Sequence, residues 1–215
     1  MRFYLVAQDP AMLKTASRTG FIEGVYLDKR AIQKTGRDES LLMQEAYELG
    51  FSFVALQAGA FDATAISEQA KNLLQGVAQP FTLFMPMTFE SLKAAKRLTE
   101  LGVKPGIGYI CTVAQALVAA RAGAQYVMLE HDRLSQYGID TVSLARAITS
   151  AFTVSDTAVK VIVDGVKSAD LTASLAMCGI HAVVCSFDVI QTLVYHPVTD
   201  LCLEAMLTDA NLDMG

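Results

Sequence analysis

The densest group of polar side chains in this apolar sequence is the segment LEHDR, from Leu129 to Arg133. A guanidinium such as that of Arg133 can hold a phosphate or a carboxylate through two parallel hydrogen bonds. Glu130 and His131 carry side chains that commonly transfer protons in enzymes. The segment therefore predicts an anion site at Arg133, with Glu130 or His131 as acid and base. The alternative is a solvated loop in which alternate residues face water.

Two further side chains could act as nucleophiles. Lys167 follows the apolar segment KVIVDGV, and an amine in that place either forms a Schiff base with a carbonyl or binds a phosphate. Cys111 follows the apolar segment GIGYI, but the sequence pairs no histidine with it, and a buried apolar thiol is inert. We therefore expect Lys167, rather than Cys111, to serve a ligand.

A metal site could in principle draw on Glu130, His131, Asp132 and Asp164. Neighbouring residues of a strand point to opposite faces, however, so adjacent Glu and His residues seldom bind one ion. The sequence also lacks H-x-H and H-E-x-x-H spacing. We expect neither a metal nor a cofactor.

The candidate residues follow strand-like segments that alternate with helix-like segments along the chain. Several of the strand-like segments are apolar on both faces, as parallel strands covered on both sides are. The helical segments open on Ser, Thr or Asp and several close on Gly, which fits N-caps and glycine C-caps. The strand-like segments read RFYLVA, IEGVYL, FSFVALQ, FTLFM, GIGYIC, QYVMLE, VKVIV and AVVCSF.

This alternation predicts a single α/β domain over residues 1–215, a (β/α)8 TIM barrel with an extra C-terminal helix at about 199–209. An open doubly wound sheet is the alternative, but it usually carries a glycine-rich loop after the first strand, where this chain reads AQDPAM. Working side chains of a barrel lie where its strands end. Asp28 and Gln57 occupy such positions on strands two and three, whereas strand four offers only Phe84 and Met85.

Composition excludes several classes of protein. The 215 residues are 53% hydrophobic and 18% charged, with a net charge of −5 and no basic run, which disfavours nucleic-acid binding. No run approaches the ~18 apolar residues of a membrane span, and the N-terminal MRFYLVAQDP fits a first strand better than a signal peptide. The four cysteines of the chain form no C-x-x-C pair, as expected of reduced thiols in a cytoplasmic protein.

Several motifs recur in an order and spacing that identify a family. They are GV at 24–25, TGRD at 35–38, MPMT at 85–88 with LKAAKRL behind it, AQALVAARAGAQYV at 114–127, RL at 133–134 and HPVTD at 196–200. Together they resemble the small transaldolase family, the branch that includes fructose-6-phosphate aldolase. The resemblance extends over almost the full length of the chain.

The resemblance implies a barrel that handles ketose phosphates through a lysine Schiff base on strand four, two residues before the proline of the PMT motif. In this chain that position is Phe84. The family's polar residues at several other strand ends are also replaced, by Val6, by YLDK at 26–29 and by Gly106, Gly108 and Gly165. Gln57, Arg133 and Lys167 match polar positions of the family, and Asp28 keeps a polar group.

The missing amine leaves two functional hypotheses. The first is a binding, regulatory or structural protein of carbohydrate metabolism, a pseudoenzyme that holds a phosphorylated sugar or other anion through Arg133, Lys167, Gln57 and Asp28. The second is an active lyase or transferase with relocated residues: Lys167 or Lys29 as the amine, or Glu130 and His131 as acid and base. The resemblance also implies a homo-oligomer in which the C-terminal helix reaches a neighbouring subunit.

Overall fold

The chain folds as a closed barrel of eight parallel strands with helices outside it. A computed structural model of the chain describes residues 1–7, 9–28, 32 and 36–212. Its strands are hydrogen-bonded in sequence order from β1 to β8, and β8 pairs with β1 to close the sheet. The predicted (β/α)8 barrel is confirmed. Gln8, Lys29 and Thr35 of the motifs above lie outside the described residues.

The strands are short and nearly all buried. Their bounds are β1 Arg2–Ala7, β2 Ile22–Leu27, β3 Phe53–Gln57, β4 Thr82–Pro86, β5 Lys104–Gly108, β6 Tyr126–Glu130, β7 Lys160–Asp164 and β8 Ala182–Cys185.

Helices of the described residues follow the strands. Their bounds are α1 Pro10–Ser17, α2 Glu39–Glu48, α3 Ala63–Gly76, α4 Phe89–Glu100, α5 Val113–Arg121, α6 His131–Gln136, α7 Thr141–Val154, α8 Ala169–Ala176, α9 Phe187–Val194 and α10 Pro197–Leu212.

Local sequence explains where many helices begin and end. The side chains of Thr88, Thr112 and Ser168 each accept a hydrogen bond from a backbone N–H of the first turn. Each therefore satisfies one of the amide groups that a helix leaves without an internal partner. After α4 and α5 the chain turns through Gly102 and Gly123, whose φ angles of 81° and 98° favour glycine.

Aromatic rings fill the lower and middle levels of the barrel interior. Tyr4 stacks on Phe53 with ring centroids 4.3 Å apart, and Phe53 meets Tyr126 edge-on at 5.2 Å. Phe84 lies against Tyr26, with the two ring centroids 5.9 Å apart. The interior is therefore a packed core below the level at which the strands end, as is usual in this architecture.

The C-terminal helix α10 lies outside this core. It has 16 residues, and its described apolar side chains are largely exposed, among them Leu201, Leu203, Met206 and Leu207. The predicted extra helix is thus present and exposes apolar surface. In the described part of the chain, no helix has the length and apolarity to cross a membrane.

Candidate functional site

A cavity of about 440 Å³ opens at the barrel mouth, where the strands end. Its floor is apolar and includes Val6, Phe84 and Met128, and its polar wall comes from several strand ends. The cavity brings together most of the residues that the sequence singled out: Asp28, Gln57, Phe84, Glu130, His131 and Arg133. Lys167 is not among the lining residues.

Phe84 belongs to the cavity floor and packs against a glycine of the neighbouring strand. Its side chain is only 2% exposed, and it pairs with Gly106 across β4 and β5. A Cβ atom added at Gly106 would lie 2.5 Å from two carbons of the Phe84 ring. The ring therefore occupies the space that any side chain at position 106 would need.

Glu130 is held by a second glycine and by a backbone amide. The Tyr109 N–H donates to both carboxylate oxygens of Glu130 at 2.9 Å. A Cβ atom at Gly108 would lie 2.8 Å from Glu130 Oε1, so this glycine leaves room for the carboxylate. Burial raises the pKa of Glu130 to about 7, although the Tyr109 N–H favours the ionised form, and the charge of Asp164 adds to the rise.

Asp164 stands beside Glu130 on the next strand. The two residues are partners in the parallel register of β6 and β7, so both side chains reach the same level of the mouth. Burial raises the pKa of Asp164 to about 6, and the charges of Asp132 and Asp28 push it in the same direction. Each carboxyl group can therefore hold or release a proton near neutral pH.

Tyr109 links three of the predicted residues, although the sequence did not single it out. Beyond its amide contact with Glu130, its phenol oxygen accepts a hydrogen bond from Gln57 Nε2 at 3.1 Å. The Arg133 guanidinium lies over its ring, 5.2 Å from the centroid. An aromatic residue directly after G-x-G at a strand end was the available signal, but its contacts are with Glu130 and Gln57, 21 and 52 residues away, which local sequence does not reveal.

Strand β5 is shorter than its sequence suggests. The apolar segment GIGYIC predicts a strand that reaches Cys111, whereas β5 ends at Gly108 and Tyr109 has a φ of 57°. A backbone in the left-handed region cannot continue a strand, so the segment turns at Tyr109. Cys111 consequently lies exposed beyond the strand, and its thiol pKa is raised by partial burial and by the charge of Glu130.

Lys167 and His131 are engaged by neighbours. The Lys167 amine donates to both oxygens of Asp132 at 2.7 Å, and its side chain is 66% exposed. His131 Nδ1 lies 2.9 Å from the Thr141 hydroxyl, while the His131 side chain lines the cavity. The Lys167 amine is therefore engaged by Asp132 and lies outside the cavity lining.

Carboxylates outnumber cations around the cavity. Asp28, Glu130, Asp132 and Asp164 line it, whereas Arg133 is the only Lys or Arg among the described lining residues. Arg133 forms no ion pair with any described residue. No group of His, Cys, Asp and Glu in the described part of the chain has a geometry that could hold a metal ion. The site thus offers hydrogen-bond acceptors, titratable acids and one guanidinium.

Comparison with known proteins identifies the family that the chain resembles over most of its length. The family model described as Transaldolase/Fructose-6-phosphate aldolase matches residues 39–214. A protein of Shouchella clausii named "Probable transaldolase" is 31% identical, with 98% of this chain and 97% of that protein aligned. A protein of the same name from Methanococcus vannielii is also 31% identical, with 97% of each chain aligned.

Solved structures with little sequence similarity share the architecture. A candidate phosphonomutase from Burkholderia cenocepacia J2315 superimposes with a TM-score of 0.62 at 14% identity, covering 99% of this chain and 93% of the other. At that identity the similarity concerns the fold alone.

Proposed function

The chain belongs to the transaldolase/fructose-6-phosphate aldolase family, and from that membership we propose that it binds a phosphorylated sugar at the barrel mouth without forming a Schiff base. Its family makes it an aldolase-like barrel of carbohydrate metabolism. Beyond the family, we propose the ligand, a phosphorylated sugar, and that the protein binds it without a covalent bond.

The observation that carries the proposal is the packing of Phe84 on Gly106. The position that the family resemblance assigns to the Schiff-base lysine holds an aromatic ring that is 2% exposed. A benzyl group cannot condense with a carbonyl, so the covalent step has no nucleophile there. The neighbouring strand carries a glycine, Gly106, in the place where a side chain would collide with the ring. This complementary packing favours a settled apolar cavity floor over a catalytic site that has merely lost its lysine.

The polar wall suits the two ends of a sugar phosphate. Arg133 lines the cavity, pairs with no described carboxylate and can hold a phosphate through several N–H donors. Gln57 and the carboxylates of Asp28, Glu130 and Asp164 face the same space and can bind the hydroxyl groups of a sugar. Lys167 does not line the cavity, but it donates to Asp132, which does, and so helps to hold that carboxylate in place.

A second candidate is proton-transfer chemistry on a small carbonyl compound or a sugar phosphate, catalysed by Glu130. One observation favours it: burial places the pKa of Glu130 at about 7, close to the value that suits a general acid or base at neutral pH. His131, which also lines the cavity, would be its partner. In this candidate the protein is a lyase or transferase with relocated catalytic residues.

Titration calorimetry with fructose 6-phosphate, combined with borohydride trapping, tests the proposal. We expect saturable binding, weakened about tenfold to hundredfold in Arg133→Ala, because a charge-assisted contact is lost. We also expect no mass increase after incubation with fructose 6-phosphate or dihydroxyacetone and borohydride. Arg146→Ala, an exposed arginine on α7, is the matched control and should bind as the wild type does.

The opposite results are equally specific. A reduced adduct mapped to Lys167 would show a relocated Schiff base and overturn the non-covalent proposal. Absence of binding at millimolar fructose 6-phosphate would overturn the choice of ligand. Aldol cleavage or isomerisation that disappears in Glu130→Gln would establish the second candidate instead.

We also propose that α10 docks on another copy of the chain. Its described apolar side chains are exposed, Leu201 and Leu207 to 65% each, and they lack the cover that a core helix receives. Sedimentation velocity should show more than one subunit for the full chain and a smaller species for the double variant Leu201→Asp/Leu207→Asp. Leu41→Asp, on an exposed leucine of α2, should leave the assembly intact; a full-length monomer at micromolar concentration would refute the proposal.

A further inference from the structure

Tyr109 is held in place from both its backbone and its side chain. Its φ of 57° lies in the left-handed region, which a residue with a side chain adopts only when surrounding contacts enforce it. The contact that does so here is the bond from its N–H to both oxygens of Glu130. The preceding Gly108 leaves the space for that carboxylate. Tyr109 is thereby turned at the mouth, where it lines the cavity.

The side chain has little freedom. Gln57, on β3, donates to its phenol oxygen at 3.1 Å, and Arg133, on α6, covers the ring at 5.2 Å from the centroid. A guanidinium over an aromatic face is attracted by the ring electrons, so this contact also orients Arg133. The phenol and the guanidinium consequently face one cavity from adjacent positions.

The Tyr109 hydroxyl has a hydrogen-bond donor that its contact with Gln57 does not use. A tyrosine hydroxyl carries one donor and accepts through its oxygen. With the Gln57 amide oriented so that Nε2 faces the phenol, that contact uses the oxygen as an acceptor and leaves the O–H hydrogen unused. No other described residue lies within hydrogen-bonding distance of the hydroxyl. The hydrogen is free to point into the cavity.

We propose that Tyr109 is a specificity-determining residue whose phenol O–H donates a hydrogen bond to a carbonyl or hydroxyl oxygen on the carbon chain of a sugar phosphate, with the phosphate on Arg133. This inference rests on the proposed function and names the group that distinguishes a sugar phosphate from phosphate alone. A site that offers a hydrogen bond to a ligand oxygen loses affinity for ligands that cannot accept it. Bare phosphate reaches Arg133 without engaging the phenol.

Tyr109→Phe isolates the hydroxyl, because it preserves the backbone N–H that holds Glu130 and the ring that lies under Arg133. Calorimetry should show that fructose 6-phosphate binds about fivefold to twentyfold more weakly to this variant, while the Kd of inorganic phosphate stays unchanged. Tyr137→Phe is the matched control, since Tyr137 is 82% exposed and does not line the cavity. It should bind both ligands as the wild type does.

Each outcome separates the two proposals. If wild-type protein does not bind fructose 6-phosphate, the proposed function fails and this inference fails with it. If wild-type protein binds it and Tyr109→Phe binds equally well, the proposed function stands and the role of the phenol is refuted. An equal loss of affinity for sugar phosphate and inorganic phosphate would also refute it, because the hydroxyl would then act through Arg133.

Discussion

Replacing Gly106 by alanine should destabilise the protein by about 1–3 kcal/mol, because overpacking a tight core forces side chains and backbone to shift. The added methyl group would lie 2.5 Å from Phe84 Cδ1 and Cε1, well inside van der Waals contact. The ring has no simple escape, since Tyr26 and Tyr126 lie beside it at centroid distances of 5.9 and 6.5 Å. Urea unfolding at a fixed protein concentration measures the change in the free energy of unfolding.

A double-mutant cycle with Phe84→Ala identifies the cause. Phe84→Ala alone should cost about 3–5 kcal/mol, as removal of a buried aromatic ring generally does. In that background the space next to Gly106 is empty, so Gly106→Ala should cost much less than it does in the wild type. We expect an interaction free energy of about 1 kcal/mol or more between the two substitutions.

Gly24→Ala is the matched control for this cycle. A Cβ atom there would also be too close to its neighbours, at 2.7 Å from Phe53 Cβ and Tyr4 Cδ1, but none of these contacts involves Phe84. Its cost should therefore be the same with and without the Phe84 ring, to within about 0.5 kcal/mol. Strict additivity of Gly106→Ala and Phe84→Ala would show that the two residues are not energetically coupled.

The stability of the wild-type protein should fall as pH rises from about 4.5 to 7 through the contribution of Glu130. An unfolded glutamic acid releases its proton near pH 4.5, whereas burial keeps Glu130 protonated in the native state up to about pH 7. The native state therefore binds more protons in this window, and ∂ΔG/∂pH of unfolding is negative. A shift of this size corresponds to about 3 kcal/mol, partly shared with Asp164, whose charge repels that of Glu130.

Glu130→Gln should remove that contribution. The difference in unfolding free energy between variant and wild type should move in favour of the variant by about 2–3 kcal/mol between pH 5 and pH 8. Urea unfolding at several pH values provides the measurement, with Glu100→Gln, an exposed glutamate at the end of α4, as the control that should show no such trend. A wild-type curve parallel to that of Glu130→Gln would mean that Glu130 titrates normally in the native state.

Local sequence sufficed for the fold. Two-faced apolar strands predicted the parallel sheet, and the capping residues Thr88, Thr112 and Ser168 begin helices as their side chains favour. The predicted end of β5 at Cys111 was wrong, because every residue of GIGYIC is apolar or small and no residue in it marks a strand end. Only the contact between the Tyr109 amide and Glu130, 21 residues away, decides where the chain turns.

The candidate site was less accessible to sequence reasoning. Motif spacing was enough to show that Phe84 stands where the family's lysine is expected. The pairing of Phe84 with Gly106 and of Glu130 with Asp164 depends on strand register, which a closed barrel sets through contacts along its whole circumference. Similarly, the bond between Lys167 and Asp132 joins the loop after β7 to the first turn of α6, 35 residues away in the chain, and the sequence of neither segment indicates it.

The packing of Phe84 against Gly106 also limits what a single substitution could do to engineer an aldolase from this barrel. Lysine at position 84 would place a flexible side chain where a flat ring now fills the floor. Gly106, beside it, has no side chain that could pack against the lysine and hold it in one conformation. Its amine would approach a wall rich in carboxylates, which favour the protonated, unreactive form. Recovery of the chemistry would therefore require matched changes on β4, β5 and β6 together, and a single substitution on β4 would not be enough.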